Sequence, residues 1–360
     1  MSNLALFPYY GFRPDSTITF NTVTLNANTN DFGIVFQMPE AATITTIGWR
    51  QGTLTGTPGT LRVGLQGVSA TTGLQNGTYL GGATNYVDYT GWAAGNNNTF
   101  ITHTLPSSVS LTRGQLVCLY LDPQAVGTWN ASNNVTVTHS IASDGRRFNR
   151  PYYFSNAAIQ TSFDDEVYLL RSSTNTYGNP VQSFTSAALT NATNPDEIGL
   201  AFTLGSTLFS TYTVAGARVT GAITGAGGTL EVRLNNNTTV LQTAAVDTDQ
   251  IYRFATNTFE FWFTNSSLTT LNTGTEYILS LKATSATANA ASVTYGTYPT
   301  SGDISAISNQ TVRYAERQGT GAWSFTNTTR LPVIELILNS TAFTGGGLLV
   351  HPGTAGGMRG

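Results

Sequence analysis

Apolar and polar residues alternate over short stretches along most of the chain, and clusters of Gly, Asn, Pro and Thr bound each stretch. A period of two sends successive side chains to opposite faces of a strand. The pattern predicts strands at "TITF" (17–20), "GIVF" (33–36), "TLRVGL" (60–65), "FITHTL" (100–105), "QLVCLYL" (115–121) and "VTVTHSI" (135–141). A second series follows at "IGLAF" (198–202), "TLEVRL" (229–234), "FEFWF" (259–263), "EYILSL" (276–281), "ASVTY" (291–295) and "VIELIL" (333–338). Between them lie Asn runs and TG, NG and GG pairs, residues that tolerate positive φ at turns. Almost nothing carries a helical period. Many short strands with such turns indicate an all-β fold of antiparallel sandwiches.

The two series resemble each other. "GWRQGTLTGTPGTLRVGL" (48–65), which reads as a hairpin, returns as "GARVTGAITGAGGTLEVRL" (216–234). Asp31-Phe32-Gly33-Ile34-Val35-Phe36 matches Glu197-Ile198-Gly199-Leu200-Ala201-Phe202, and "LTRGQLVCLYL" (111–121) matches "LNTGTEYILSL" (271–281). Matches in the same order, roughly 160 residues apart, indicate tandem copies of one domain. The expected organisation is an N-terminal arm at 1–16, a sandwich at 17–172, a linker at 173–180, a sandwich at 181–340 and a Gly-rich tail at 341–360. Gly33 and Gly199, inside strands, mark a bulge or a close backbone approach. Arg50 and Arg218, each shared after a shared glycine, suggest structural pairs with carboxylates.

Composition narrows the function. Charged residues make up 10% of the 360, against 40% hydrophobic, and the net charge of −3 gives no electrostatic case for nucleic acid. Of 16 basic residues only Lys282 is a lysine, which reads either as codon bias or chance or as a surface largely in contact with other chains. Cys118, the single cysteine, lies in an apolar strand and reads as a buried structural thiol. No apolar run reaches the length of a membrane span. The opening "MSNLALFPYYGF" has no basic region or cleavage site, so the expectation is synthesis in a cytoplasm without a secretion signal.

Candidate chemistry is sparse. His103, His139 and His351 stand alone, and "DDE" (164–166) lacks the glycine-punctuated ladder of a calcium loop. "TGAGGT" (224–229) joins strands with no lysine or helix after it, unlike a phosphate loop. The expectation is therefore no catalytic residue, no metal and no cofactor. A sugar site has a better candidate in "TNYVDYTGWAAGNNN" (84–98), where Tyr86, Tyr89 and Trp92 sit near Asp88. Flat rings beside hydrogen-bond acceptors suit a glycan. The competing reading is that these rings fill a core or an inter-domain seam. The N-terminal arm, with Leu6, Phe7, Tyr9, Tyr10 and Phe12, reads as a peptide that docks into a groove or onto a sheet edge of a neighbouring subunit, the competing reading being that it packs across its own domain.

The tandem halves, each with "GTLRVGL"/"GTLEVRL" and "TRGQLVCLYL"/"NTGTEYILSL", resemble the β-sandwich or jelly-roll modules of tailed-bacteriophage virion proteins, of the capsid-decoration, head-fibre and tail-fibre types. The resemblance spans roughly 17–172 and 181–340 and lies in texture, so it carries over no functional residue. It implies a non-enzymatic virion component, released by lysis, with copies of itself and other virion proteins as partners in a homo-oligomer. A glycan-binding fibre module and a double jelly-roll major capsid protein are the alternatives.

Overall fold

The computed structural model describes residues 4–7, 20–38, 40–141, 152–156, 158–160, 165–173, 175–178, 182–189, 195–204, 211–223, 229–247, 257–263, 269–284, 291–298, 311–326 and 329–339. Among these the chain forms 27 strands, numbered in chain order, and one short 3-10 turn at Ala94–Asn96. In the first half, β2 (Phe20–Leu25), β4 (Ala42–Thr55), β8 (Phe100–Leu111), β10 (Asn134–Ile141), β13 (Asp165–Glu166), β14 (Leu169–Arg171) and β15 (Thr176–Gly178) make one sheet. Facing it are β3 (Phe32–Gln37), β5 (Leu61–Val68), β6 (Gln75–Tyr79), β7 (Tyr86–Tyr89), β9 (Leu116–Pro123), β11 (Tyr152–Ser155) and β12 (Ala158–Gln160). In the second half, β1 (Leu4–Phe7), β16 (Ser183–Leu189), β18 (Thr211–Ile223), β21 (Asn257–Trp262), β22 (Thr269–Asn272), β24 (Ala291–Thr297), β26 (Arg330–Pro332) and β27 (Ile334–Asn339) share a sheet. Its partner holds β17 (Glu197–Thr203), β19 (Thr229–Asn236), β20 (Thr239–Asp247), β23 (Glu276–Ala283) and β25 (Thr311–Arg317).

Each half is a sandwich. The inward side chains of β3, β5 and β9 (Ile34, Leu61, Val63, Leu65, Leu119, Leu121) meet those of β4, β8 and β10 (Ile44, Ile47, Trp49, Leu105, Val137) in one core. A separate core joins Ile198, Phe202, Val232 and Leu279 to Val214, Val219, Val293 and Leu336. Alternation along each strand is what makes one face apolar enough to pack. The pairing orders correspond: β11-β3-β9-β5 in the first half, β25-β17-β23-β19 in the second. In the facing sheets, β2-β10-β4 with β8 beyond corresponds to β16-β24-β18 with β21 and β22 beyond.

The stretch read as a hairpin is not one. β4 pairs with β8 on one side and with β10 and β14 on the other, while β5 pairs with β9, β6 and β7 in the opposite sheet. With both its edges filled, β4 has no room for β5, and residues 56–60 cross between the layers. Gly56 supplies the positive φ (62°) for that crossing. The expected close backbone approach is found at Gly199, where a Cβ would come within 2.7 Å of the Leu279 carbonyl oxygen, whereas at Gly33 it is the Phe154 ring that takes the space of a Cβ.

The predicted linker at 173–180 contains β15, which closes a hairpin with β14 and puts Tyr177 into the first core. Val167, Leu169 and Phe100 from the first half meet Leu200, Tyr298, Val312 and Leu331 from the second in a shared cluster, with Phe20 and Phe184 stacked at 6.3 Å beside it. Arg50 belongs to this seam, and its expected carboxylate is replaced by other partners. Its Nη1 donates to the Thr138 hydroxyl (2.8 Å), its Nη2 to the Gln182 carbonyl (2.9 Å), and its guanidinium lies 3.9 Å over the Phe20 ring. Burial pushes this guanidinium down to about 10. Arg218, by contrast, stands in register with Glu260 on β21 and Glu335 on β27.

Candidate functional site

The four residues of the proposed sugar platform fall on two sides of one sheet. In β5, Leu61, Val63 and Leu65 point into the core, so Arg62 and Gly64 point out, and β7 sets Tyr86 and Asp88 beside them. Arg62 forks onto Asp88 (Nε to Oδ1 2.8 Å, Nη2 to Oδ2 3.1 Å) and covers a face of the Tyr86 ring at 3.8 Å. The Tyr79 ring lies over Gly64 and 5.0 Å from Tyr86. Hydrogen bonding and charge from Asp88 hold Arg62 above its ordinary value. The acceptors and the ring that a sugar needs are thus engaged by Arg62, although half-exposed ion pairs of this kind contribute only about 0–1 kcal/mol.

Tyr89 and Trp92 go the other way. Tyr89 meets Trp92 edge-on at 4.8 Å and His103 at 5.4 Å, and Trp92 meets Trp49 at 6.3 Å and Trp129 at 5.9 Å. Their polar atoms are tied inward: Trp92 Nε1 donates to the Gly59 carbonyl (2.9 Å), Trp129 Nε1 to the Gln124 carbonyl (3.1 Å), and the Tyr89 hydroxyl to the Gly91 carbonyl (2.5 Å). These perpendicular rings plug the end of the first core under loops 56–60, 90–99 and 124–133. Trp92→Ala is therefore expected to lower stability by about 2–3 kcal/mol, measurable by urea unfolding. Unchanged stability would release Trp92 from this structural role.

At the bottom of the plug, Trp49 Nε1 donates to His103 Nε2 at 3.1 Å, which requires a neutral imidazole protonated on Nδ1. Burial pushes His103 down to about 4, and His139, its ring tilted against that of Tyr153 at 3.9 Å, also down to about 4. Both folded values lie below the ordinary unfolded value near 6.5, so between the two only the unfolded chain takes up protons. Stability is complete above about pH 6.5 and falls on acidification towards pH 4, by up to about 1.4 kcal/mol per unit for each ring. Thermal midpoints from pH 7 to 4 should trace this decline. A flat profile would mean that neither ring is sealed from water.

The densest charge cluster was not anticipated from the sequence. On the outer face of the five-stranded sheet, Glu197 is fully buried and accepts from Arg317 Nε (2.7 Å) and the Ser280 hydroxyl (2.6 Å), with Arg233 and Lys282 each 3.9 Å away. Lys282 reaches Asp196 (3.3 Å) and the Gly319 carbonyl (3.1 Å), so the lone lysine is pinned in the fold. Arg233 also binds Glu231. The Trp323 ring caps the cluster, 4.3 Å from the Arg317 guanidinium, and its Nε1 donates to the Asn237 carbonyl at 3.0 Å. Asp31, the residue that matches Glu197 in the first half, accepts instead from Gln75 Nε2 (3.1 Å) and the Tyr120 hydroxyl (3.5 Å). The signal was present in that shared acid, but its arginine lies 120 residues downstream of Glu197.

Cys118 sits with Val35, Tyr120 and Phe154 on the outer face of the first half, and burial raises its thiol well above the ordinary value. Among the described residues, no three His, Cys, Asp or Glu side chains gather as a metal site, and no helix is long and apolar enough to cross a membrane. Of the arm, Leu6 and Phe7 lie in β1, with Ile337 and Leu336 as their backbone partners on β27. Tyr9, Tyr10, Phe12, His351 and the 341–360 tail lie outside the described residues. Comparison with protein-family models, with curated proteins and with solved structures finds no match for this chain.

Proposed function

We propose that the chain is a non-enzymatic structural subunit of a tailed-phage particle, of the capsid-decoration or fibre type, held among copies of itself and other virion proteins. The observation that carries this reading is β1: a short apolar segment at the chain start adds as a strand to the sheet of the distant half. Strand addition is a main-chain mode of docking that needs no catalytic or ligand chemistry. The buried seam at Arg50 and the pinned Lys282 support it, because both spend charge on fixing shape. A gene-doubling origin accounts for the matching pairing orders of the two halves.

The test is the protein content of purified phage particles from cells that express the gene. The chain should be present in fixed stoichiometry and remain after the particles are washed at high salt. Its absence from particles sinks the reading, and dominance over every other particle protein turns it into the major capsid alternative.

A glycan-binding fibre module is the second reading, favoured by the loop end at which Trp92 and Trp129 meet among asparagines. There Asn97 Oδ1 accepts from the Leu54 amide (3.0 Å) and Asn133 Oδ1 from the Thr57 amide (3.0 Å), and Val126 stands 67% exposed beside them. Glycan-array binding by the parent chain, lost on Val126→Asp at the exposed loop tip with the thermal midpoint unchanged, would establish it.

A further inference from the structure

We propose that the outer edge of β27 accepts the N-terminal strand of a second copy of this chain, so that residues 4–7 are exchanged between neighbours. The proposal deepens the assembly reading and rests on it for its biological setting. Its starting point is a difference between two corresponding sheet edges. In the first half, the edge of β14 is filled by β15, the next strand along the chain, which pairs from Leu169↔Gly178 to Arg171↔Thr176. In the second half, the corresponding strand is β27, on the same side of β18 as β14 is of β4. Its edge is filled from the opposite end of the chain, with Leu4↔Asn339, Ala5↔Leu338, Leu6↔Ile337 and Phe7↔Leu336 in antiparallel register.

An edge left bare is a row of unpaired N–H and C=O groups that recruits any compatible strand. Main-chain pairing in this register is identical whether the strand comes from the same molecule or from its neighbour, so the two arrangements differ only in tether and concentration. The tether, residues 8–19, joins β1 to β2 and spans at most about 40 Å when extended. Pro8 follows β1 directly and has no N–H to donate, so the insert is a short, defined strand. A short tether holds its own arm at an effective concentration on the order of millimolar. Dilute chains therefore keep the arm at home. Neighbours packed in a particle reach comparable local concentrations, and there exchange competes.

The test uses a donor and an acceptor. The donor is the full chain with Ala5→Cys, and the acceptor lacks residues 1–16 and carries Leu338→Cys; Cys118 is buried and stays as it is. The two are mixed under mild oxidation at about 10 μM and at about 1 mM, the latter matching the tether's effective concentration. A synthetic peptide of residues 1–12 with Ala5→Cys runs in parallel. The expected result is a donor–acceptor disulfide whose yield rises about tenfold or more between the two concentrations, with the peptide captured at both. Capture of the peptide without capture of the donor overturns exchange and leaves β1 as a clasp within one molecule. Capture of neither overturns exchange and the edge pairing together.

If the truncated acceptor fails to fold, the full chain carrying both substitutions replaces it. Disulfide-linked multimers at high concentration then support exchange, and disulfide-closed monomers alone overturn it. None of these results depends on the particle analysis: exchange without presence in particles removes the phage reading and leaves the acceptor edge standing.

Discussion

Glu197→Ala is expected to destabilise the second half by about 3–5 kcal/mol, the usual penalty for removing one member of a buried, hydrogen-bonded ion pair. The carboxylate is inaccessible to water and is the acceptor shared by Arg317 and Ser280, with Arg233 and Lys282 near enough to feel its charge. Without it, Arg317 is left beneath Trp323 at 4% side-chain exposure with its carboxylate partner gone. Hydrogen exchange read strand by strand checks this: amides of β17, β23 and β25 should lose protection before those of β3 and β9. The pair Glu197→Leu with Arg317→Leu should cost less than Glu197→Ala alone, because it removes a charge from each side. A Glu197→Ala protein as stable as the parent would mean that water already reaches the cluster.

Trp49→Ala is expected to take a similar toll on the first half, about 3–5 kcal/mol. Trp49 is 1% exposed, packs against Tyr89 and Trp92, and is the donor to His103. The substitution opens a cavity at the end of the core where three loops meet, and it orphans the imidazole. It should also change the pH profile. With the cavity beside it open to water, His103 moves back towards its ordinary value, and the acid-limb slope falls to that of His139 alone. A lower stability with an unaltered slope would show that Trp49 fills space without governing the histidine.

The strands that were easiest to read in the sequence are those with an uninterrupted period of two. Leu61, Val63 and Leu65, and Val117, Leu119 and Leu121, were legible because nothing shifts their alternation. β4, one of the longest strands, shows no strand period in the sequence and enters the reading only through its 48–55 end as an arm of the supposed hairpin, and the reason is a bulge. Its register against β8 shifts between Ile44 and Thr46, so the inward residues run Ile44, Ile47, Trp49, a step of three and then two. β18 shifts against β27 between Val214 and Gly216 and repeats that step at Val214, Ala217 and Val219. An irregular step filled with Thr and Gly does not register as a strand pattern.

The misread hairpin has a related cause. Turn glycines mark where a chain bends, but nothing local tells a return within one sheet from a crossing to the other. The glycan candidates failed to gather for the same reason that strands work: Asp88 and Tyr89 are neighbours in sequence and therefore face opposite ways. The Glu197 cluster needed Arg317, Ser280 and Lys282, which come from two other strands, and only their pairing on either side of β17 brings them together.

The pairing of β1 with β27 also sets a timetable. During synthesis residues 4–7 are made before β27, and their hydrogen-bonding partner follows roughly 330 residues later, an interval on the order of tens of seconds at ordinary elongation rates. Throughout that interval the nascent arm has no edge of its own to join. Closure of this edge is therefore a late event, reached only once β27 has been made and has paired with β18.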